Sequence, residues 1–387
     1  MLTKDISPTE MQARTARYAE IAPQGPQFAG KLGLPLAAYQ KLSAEELRLL
    51  MAAPAQGGPF ASAPAIADDQ GLTVAIVKCS PGQGPHLHAH YNTYENFMAL
   101  DGPFDIIWGD AGEHRARLEP YDVIAIPRGV VRTFANTGND TAHLIGFIYG
   151  GASDDFNDVA MTVAAGDDIS ATYGGETKAK LDEIGWTFDA GVDRPTVQVT
   201  PDEMAARIAR RADLVPLTAG YAEANGIPID AYRDVTVYSV SLVMAPATQG
   251  GPMSVAPAID GPGGLSVLFV ESPPGNGTLL HSHYYTNETF FCLDGRYRIT
   301  WGNNGEYETE IGPWDMIAFP TGVMRAFENI SDGPSHILTF ITGESEEDFA
   351  DIAMTPECGE WYAERHGADV RERIEEIGFS FKAGVPE

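Results

Sequence analysis

Five of the nine histidines in this 387-residue chain fall in two short clusters, His86, His88 and His90, then His281 and His283. Each cluster holds H-x-H followed, after four further residues, by a glutamate: His88, His90 and Glu95, and again His281, His283 and Glu288. On a β-strand, residues two apart face the same side, so each pair of imidazoles stands side by side. The intervening Tyr91-Asn92-Thr93 and Tyr284-Tyr285-Thr286 let the chain turn into a next strand. There Glu95, Phe97 and Ala99, or Glu288, Phe290 and Cys292, share a face. Two neutral imidazoles and one carboxylate form the facial ligand set used by Fe(II) enzymes, and also by manganese and zinc ones. His86 would lie on the same face as its neighbours, but Leu279 holds the matching place in the second cluster. Pocket lining or surface exposure is expected of His86 rather than ligation. His114, His143, His336 and His366 are isolated in sequence and read as structural or exposed.

The clusters match because the chain is one unit written twice. Ser7–Met11 returns as Thr200–Met204, His88–Gly102 as His281–Gly295, Ile126–Asn136 as Phe319–Asn329, and Phe188–Val192 as Phe381–Val385. All are offset by 193 residues, with no gap between Met11 and Val192. A repeat of this length is a domain with its own core rather than a solenoid unit. The expected domains are residues 1–192, with a β-barrel at about 65–150, and residues 200–387, with a β-barrel at about 258–343. The short segment Asp193–Val199 joins them.

The elements that must position the clusters are β-strands. LTVAIVKC, FDIIWG, DVIAIP and HLIGFIYG are short apolar runs separated by Gly, Pro, Asp and Asn, the texture of a sandwich or small barrel. The 41 glycines and 27 prolines agree, since that turn content favours many short strands over long helices. Helices are expected at the flanks: from Pro8, after a capping box at Ser43-Ala-Glu-Glu, after N-caps at Ser153 and Ser345, and over Lys178–Ile184 and Asp369–Ile377. Thr236–Met244, the second-repeat counterpart of the Ser43 region, alternates as a strand, so the two copies disagree there.

With these residues in view, the sequence resembles the cupin superfamily. Gly82, His88, His90, Glu95 and Gly102 fit its first motif, G-x5-H-x-H-x3/4-E-x6-G, and so do Gly275, His281, His283, Glu288 and Gly295. Pro127, Gly129 and Asn136, with Pro320, Gly322 and Asn329, fit parts of its second motif, G-x5-P-x-G-x2-H-x3-N. The resemblance covers both β blocks and implies a bicupin: an all-β core of two tandem double-stranded β-helix (jelly-roll) barrels with flanking helical segments. It also implies a metal at each barrel's open centre. The second motif departs from the family twice. Its leading Gly is Tyr121 or Trp314, and its His ligand is Arg132 or Arg325. Arginine does not ligate metal. Its guanidinium could clamp a substrate carboxylate beside the ion, or pair with Glu95 or Glu288 in place of the metal. The metal set is thus His88, His90 and Glu95 in one copy and His281, His283 and Glu288 in the other, with Arg132 and Arg325 as candidate catalytic residues.

The expected function is that of a metal-dependent enzyme, a non-haem Fe(II) dioxygenase acting on a small organic or aromatic carboxylic acid. The layout resembles gentisate-type ring-cleaving dioxygenases. The cofactor is a divalent metal ion, Fe(II) first, with manganese, nickel and zinc as alternatives. A non-oxidative lyase or isomerase and a non-catalytic small-molecule-binding bicupin are the competing classes. Oxalate-decarboxylase chemistry, which in the family uses three His and one Glu, lacks a ligand here. A net charge of −29 argues against nucleic acid and against anionic membrane surfaces, and it obliges local positive charge, such as Arg132, Arg325, Arg128 and Arg296, to attract an acid. Cys79, Cys292 and Cys358 imply no disulfide framework. Cys292 is a candidate for the pocket wall of the second copy, and Trp108 and Trp301 for the cores. With no signal-peptide-like start and no long apolar span, a cytoplasmic protein is expected, homo-oligomeric if the flanking helices mediate a dimer.

Overall fold

The computed structural model describes residues 2–54, 63–150, 156–249, 251–252 and 255–385. It forms two compact units, Glu20–Asp213, and Met1–Ala19 together with Leu214–Glu387. In the unit Glu20–Asp213, one sheet has the order Ile208–Ala209, Val123–Ile126, Tyr94–Ala99, Ala142–Tyr149, Leu72–Cys79, Glu46–Ala52, Ile66–Ala67. The other runs Thr187–Ala190, Val159–Thr162, His88–His90, Arg132–Asn136, Phe104–Trp108, His114–Leu118. Neighbours far apart in the chain, such as Tyr94–Ala99 beside Ala142–Tyr149 and His88–His90 beside Arg132–Asn136, give the jelly-roll connectivity of a double-stranded β-helix. The strands carry apolar side chains to one interior, where Phe97, Phe104, Trp108, Ile124 and Phe134 pack as one cluster. The other unit repeats the pattern, its seven-stranded sheet including Asn287–Cys292, Ser335–Thr342, Leu265–Ser272 and Ser239–Ala245. Phe290, Trp301, Phe319 and Phe327 fill its core.

The compact units do not run in step with the repeat boundary at 192/200. Residues Thr15–Ala16 pair with Met316 and Ile317, and Lys4 bridges to Val323, so the chain's first segment belongs with the second barrel. The matching segment of the second repeat, Ile208–Ala209, pairs with Val123 and Ile124 and completes the first barrel. The same devices hold both arms. A capping box, Ser7 with Glu10 or Thr200 with Glu203, opens a five-residue helix, Pro8–Gln12 or Pro201–Ala205. Beyond it, Arg17 pairs with Asp315 at 2.9 Å and Arg210 with Asp122 at 2.7 Å. Trp108 and Trp301 each donate an indole N–H to an arm carbonyl, that of Val199 at 2.8 Å and of Ile6 at 3.2 Å.

The expected helix after Ser43 is not formed. Ser43 ends the helix Leu36–Ser43, its hydroxyl bonded back to the Tyr39 carbonyl, and Ala44 at φ 143° breaks the helix. Glu46–Ala52 is a strand paired with Leu72–Cys79, as its counterpart Ser239–Ala245 is with Leu265–Ser272. The copies therefore agree: burial of Leu47, Leu49, Leu50 and Met51 within a sheet overrides the local capping pattern. The tail helices are Gly175–Glu183 and Ala368–Glu376, each after a longer one, Val163–Tyr173 and Pro356–His366, capped by Thr162 and Thr355. The expected cap at Ser153 lies outside the described residues. Ser345 opens a short 3-10 helix, Glu346–Phe349.

Candidate metal centres

The H-x-H segments are the short strands His88–His90 and Ser282–His283. Arg132 is the register partner of His88, and Arg325 of His281. Glu95 and Glu288 begin facing strands of the opposite sheet, Tyr94–Ala99 and Asn287–Cys292. Each barrel interior thus gathers two imidazoles, one carboxylate and one guanidinium from two sheets. The ligand atoms of His88, His90 and Glu95 lie within 4.8 Å of one another, and so do those of His281, His283 and Glu288.

The outer hydrogen bonds set the tautomers. His90 Nδ1 is 2.8 Å from Asp158 Oδ1, and His283 Nδ1 is 2.8 Å from Asp351 Oδ1. Each aspartate also accepts backbone N–H bonds from two turn residues, Asn92 and Thr93 or Tyr285 and Thr286. Burial opposes ionisation of Asp158, but its bonds to His90 and these N–H groups prevail and hold its carboxyl at about 2. Asp351 is lowered in the same way. An ionised carboxylate only accepts, so Nδ1 of His90 and His283 carries the proton. His88 and His281 donate Nδ1–H to the carbonyls of His86 and Leu279, at 2.9 and 2.8 Å. Burial lowers the pKa of both, keeping them neutral. In all four rings Nδ1 is engaged by the protein and Nε2 is left toward the glutamate, the atom through which such an imidazole binds metal.

They point at the glutamates without bonding to them. His88 Nε2 is 3.7 Å from Glu95 Oε2 and His90 Nε2 is 3.9 Å from Oε1; the second copy has 3.6 and 3.9 Å. These separations exceed a hydrogen bond but suit ligands of one ion, whose bonds of about 2.0–2.2 Å spread the donors apart. The residues fit a divalent metal.

Arg132 pairs with Glu95: Nε and Nη2 donate to Oε2 at 2.9 and 2.6 Å, while Nη1 faces the Val130 carbonyl. Arg325 Nε donates to Glu288 Oε2 at 2.8 Å and Nη1 to the Val323 carbonyl at 3.1 Å. Both arginines are buried and absent from the cavity walls. The geometry is that of the ion pair rather than the carboxylate clamp. It leaves Oε1 of each glutamate free of the guanidinium and 3.9 Å from Nε2 of His90 or His283, so the pair and a metal can coexist. Burial works against ionisation of Glu95 and Glu288, but the guanidinium and the imidazoles outweigh it and hold both carboxyls well below the usual range.

Other expected participants stand elsewhere. His86 bonds to Asp168 at 3.0 Å. Cys292 lies in the apolar core, not on the cavity wall. Arg296 pairs with Glu310 near the surface, and Arg128 stacks on the Tyr94 ring. Tyr121 and Trp314 have φ of 69° and 67°, which explains why the family motif carries glycine there. Asp158 and Asp351 were not picked out from sequence. Their trace in the sequence is the repeated D-x-A-M-T at Asp158–Thr162 and Asp351–Thr355.

Residues 268–341 match the family described as Cupin domain. The quercetin 2,3-dioxygenase of Bacillus subtilis (strain 168) is 25% identical over 262 residues, 65% of this chain and 68% of that protein. An uncharacterized protein of Methanocaldococcus jannaschii is 38% identical over 66 residues, 17% of this chain and 50% of that protein. Among solved structures, the oxalate decarboxylase of Lactobacillus farciminis in its formate complex superposes with TM-score 0.53 at 12% identity, covering 97% of each chain. A Bacillus subtilis oxalate decarboxylase variant gives TM-score 0.52 at 15% identity, covering 95% of this chain and 87% of that one. These structural likenesses establish the fold alone. No helix among the described residues is long and apolar enough to cross a membrane. The family match marks residues 268–341 as similar to a Cupin domain, and the duplication with a jelly-roll barrel in each unit gives the chain the bicupin fold.

Proposed function

We propose that the protein is a metal-dependent dioxygenase acting on a small aromatic organic substrate. His88, His90 and Glu95 would hold one divalent ion, Fe(II) first, and His281, His283 and Glu288 a second. The observation that carries this reading is the convergence of two neutral Nε2 lone pairs and one ionised carboxylate oxygen inside a largely apolar cavity, in both copies. A bound Fe(II) would supply open coordination positions for substrate and oxygen. The chain's own residues then have distinct tasks. Asp158 and Asp351 orient the imidazoles and keep Nε2 unprotonated. Arg132 and Arg325 hold Glu95 and Glu288 ionised and fixed. Phe97, Phe134 and Phe156 offer ring faces to a flat substrate in the first cavity and exclude water from it. With both guanidiniums turned to the glutamates and off the cavity walls, recognition rests on shape and apolar contact rather than on a substrate carboxylate. The similarity to a quercetin 2,3-dioxygenase supports the oxidative reading over a non-oxidative lyase.

The test is metal analysis of the purified protein and of His88→Ala and His281→Ala, followed by oxygen-uptake assays with aromatic substrates, quercetin included. Iron near one per site, lost copy by copy in the variants, with substrate-dependent oxygen consumption, is the expected result. Metal uptake without oxygen consumption would move the assignment to a lyase or isomerase. Absence of metal after reconstitution would overturn it.

A further inference from the structure

The two cavities are not equivalent, and among the lining positions that differ between the copies one cross-strand pair adds bulk to the second cavity at both of its members. In the first barrel Ala75 and Gly146 are register partners on adjacent strands. In the second their places are held by Leu268 and Thr339, again partners. All four line their cavities. Opposed residues on one sheet face occupy the same space, so an isobutyl group and a full threonine side chain fill what a methyl and a hydrogen leave open. The space bounded by the lining side chains, with the solvent at its mouth included, is about 750 Å³ in the first cavity and about 500 Å³ in the second. The first also reaches farther, touching Leu49, Thr73, Phe97 and Phe156, whose counterparts do not line the second. Three phenylalanine rings line the first cavity and one, Phe327, the second.

Gly146 is not required by the backbone. It has no positive φ, and a Cβ there would meet only Phe97, at 3.5 and 3.7 Å, in ordinary contact. Its effect is to leave space. Thr339 brings a hydroxyl that is buried on the cavity wall and has no hydrogen-bond partner among the described residues.

We propose that Ala75 and Gly146 make the first centre the one that admits a flat polycyclic aromatic ligand, and that Leu268 and Thr339 bar this ligand from the second, leaving it to small polar molecules. This deepens the functional reading above and rests on it only for the role of the metals.

Quercetin, as a flat polyphenol, and oxalate, as a small polar molecule, would be titrated into the full-length protein, both metal-free and loaded with redox-inert Zn²⁺. Metal content is measured separately. Quercetin is expected to bind one site per chain. Ala75→Leu with Gly146→Thr weakens it at least about tenfold with Zn²⁺ content unchanged. Gly146→Ser alone is the milder variant if the double substitution does not fold. Conversely, Leu268→Ala with Thr339→Gly raises the stoichiometry to two. Equal quercetin binding at both wild-type sites, no binding in either form, or binding indifferent to filling Ala75 and Gly146 overturns the proposal. Failure to load metal with one-site quercetin binding intact would refute the metal reading and support the selectivity.

Discussion

Removing the guanidinium from one centre separates its two competing roles. In Arg132→Leu, Glu95 loses both bonds to its Oε2, at 2.9 and 2.6 Å, in a site where Arg132 is 1% exposed and Glu95 9%. Breaking such a buried pair costs about 3–5 kcal/mol, because the remaining charge is left desolvated. For a unit of this size each kcal/mol lowers the melting temperature by about 2–4 °C, so the metal-free first barrel should melt about 6–20 °C lower. A divalent ion replaces the lost positive charge, so Zn²⁺ should raise the melting temperature of the variant more than that of the wild type. The pH dependence has a definite sign. The folded pKa of Glu95 is held below its ordinary 4.5, so the pair's stabilisation is present above that value and is lost as pH falls below it. The wild-type advantage should therefore shrink below about pH 4. Calorimetry of the metal-free protein between pH 2 and 8, and of the Zn²⁺-loaded protein at neutral pH, would measure this. An unchanged melting temperature without metal, with an unchanged response to Zn²⁺, would refute the ion-pair role and favour a substrate clamp.

Asp158→Asn should weaken metal binding at the first centre by about 10–100-fold, read by competition with a chromophoric chelator. The same carboxyl is lowered from 3.8 to about 2, so it contributes about 2 kcal/mol of stability that is present above pH 4 and lost as pH falls towards 2. Acid titration of wild type and variant should converge in that window. Burial pushes the Cys79 thiol up to about 12 and the Cys358 thiol to about 11, so neither should react with a thiol reagent at pH 8 until the protein is unfolded; prompt reaction of the native protein would contradict this. Deleting residues 1–19 removes the Thr15–Ala16 pairing and the Arg17–Asp315 bridge, so the unit containing Leu214–Glu387 should melt earlier while the unit Glu20–Asp213 keeps its transition. Two calorimetric transitions that shift together would refute that division.

Much of each centre could be read from the chain because its parts are close in sequence. His88, His90 and Glu95 lie on two successive strands joined by a short turn, and alternation along each strand dictates which side chains share a face. The duplication doubled the signal, and the departures at Arg132 and Arg325 were visible against the motif. The capping pattern at Ser43 misled because a local signal lost to burial in the sheet that begins three residues on, and the copy at Thr236–Met244 was the better guide.

The residue order alone therefore determines two β domains with two His, His, Glu sets, since these follow from periodicity and from contacts a few residues apart. Only the folded chain decides the rest. Asp158 reaches His90 across 68 residues, and Arg132 reaches Glu95 across 37. The arms complete barrels other than the ones their repeat position implies. Ala75 meets Gly146, and Leu268 meets Thr339, only through strand register. Such pairings arise when strands distant in sequence close one barrel, and no local pattern specifies which residue will stand opposite which.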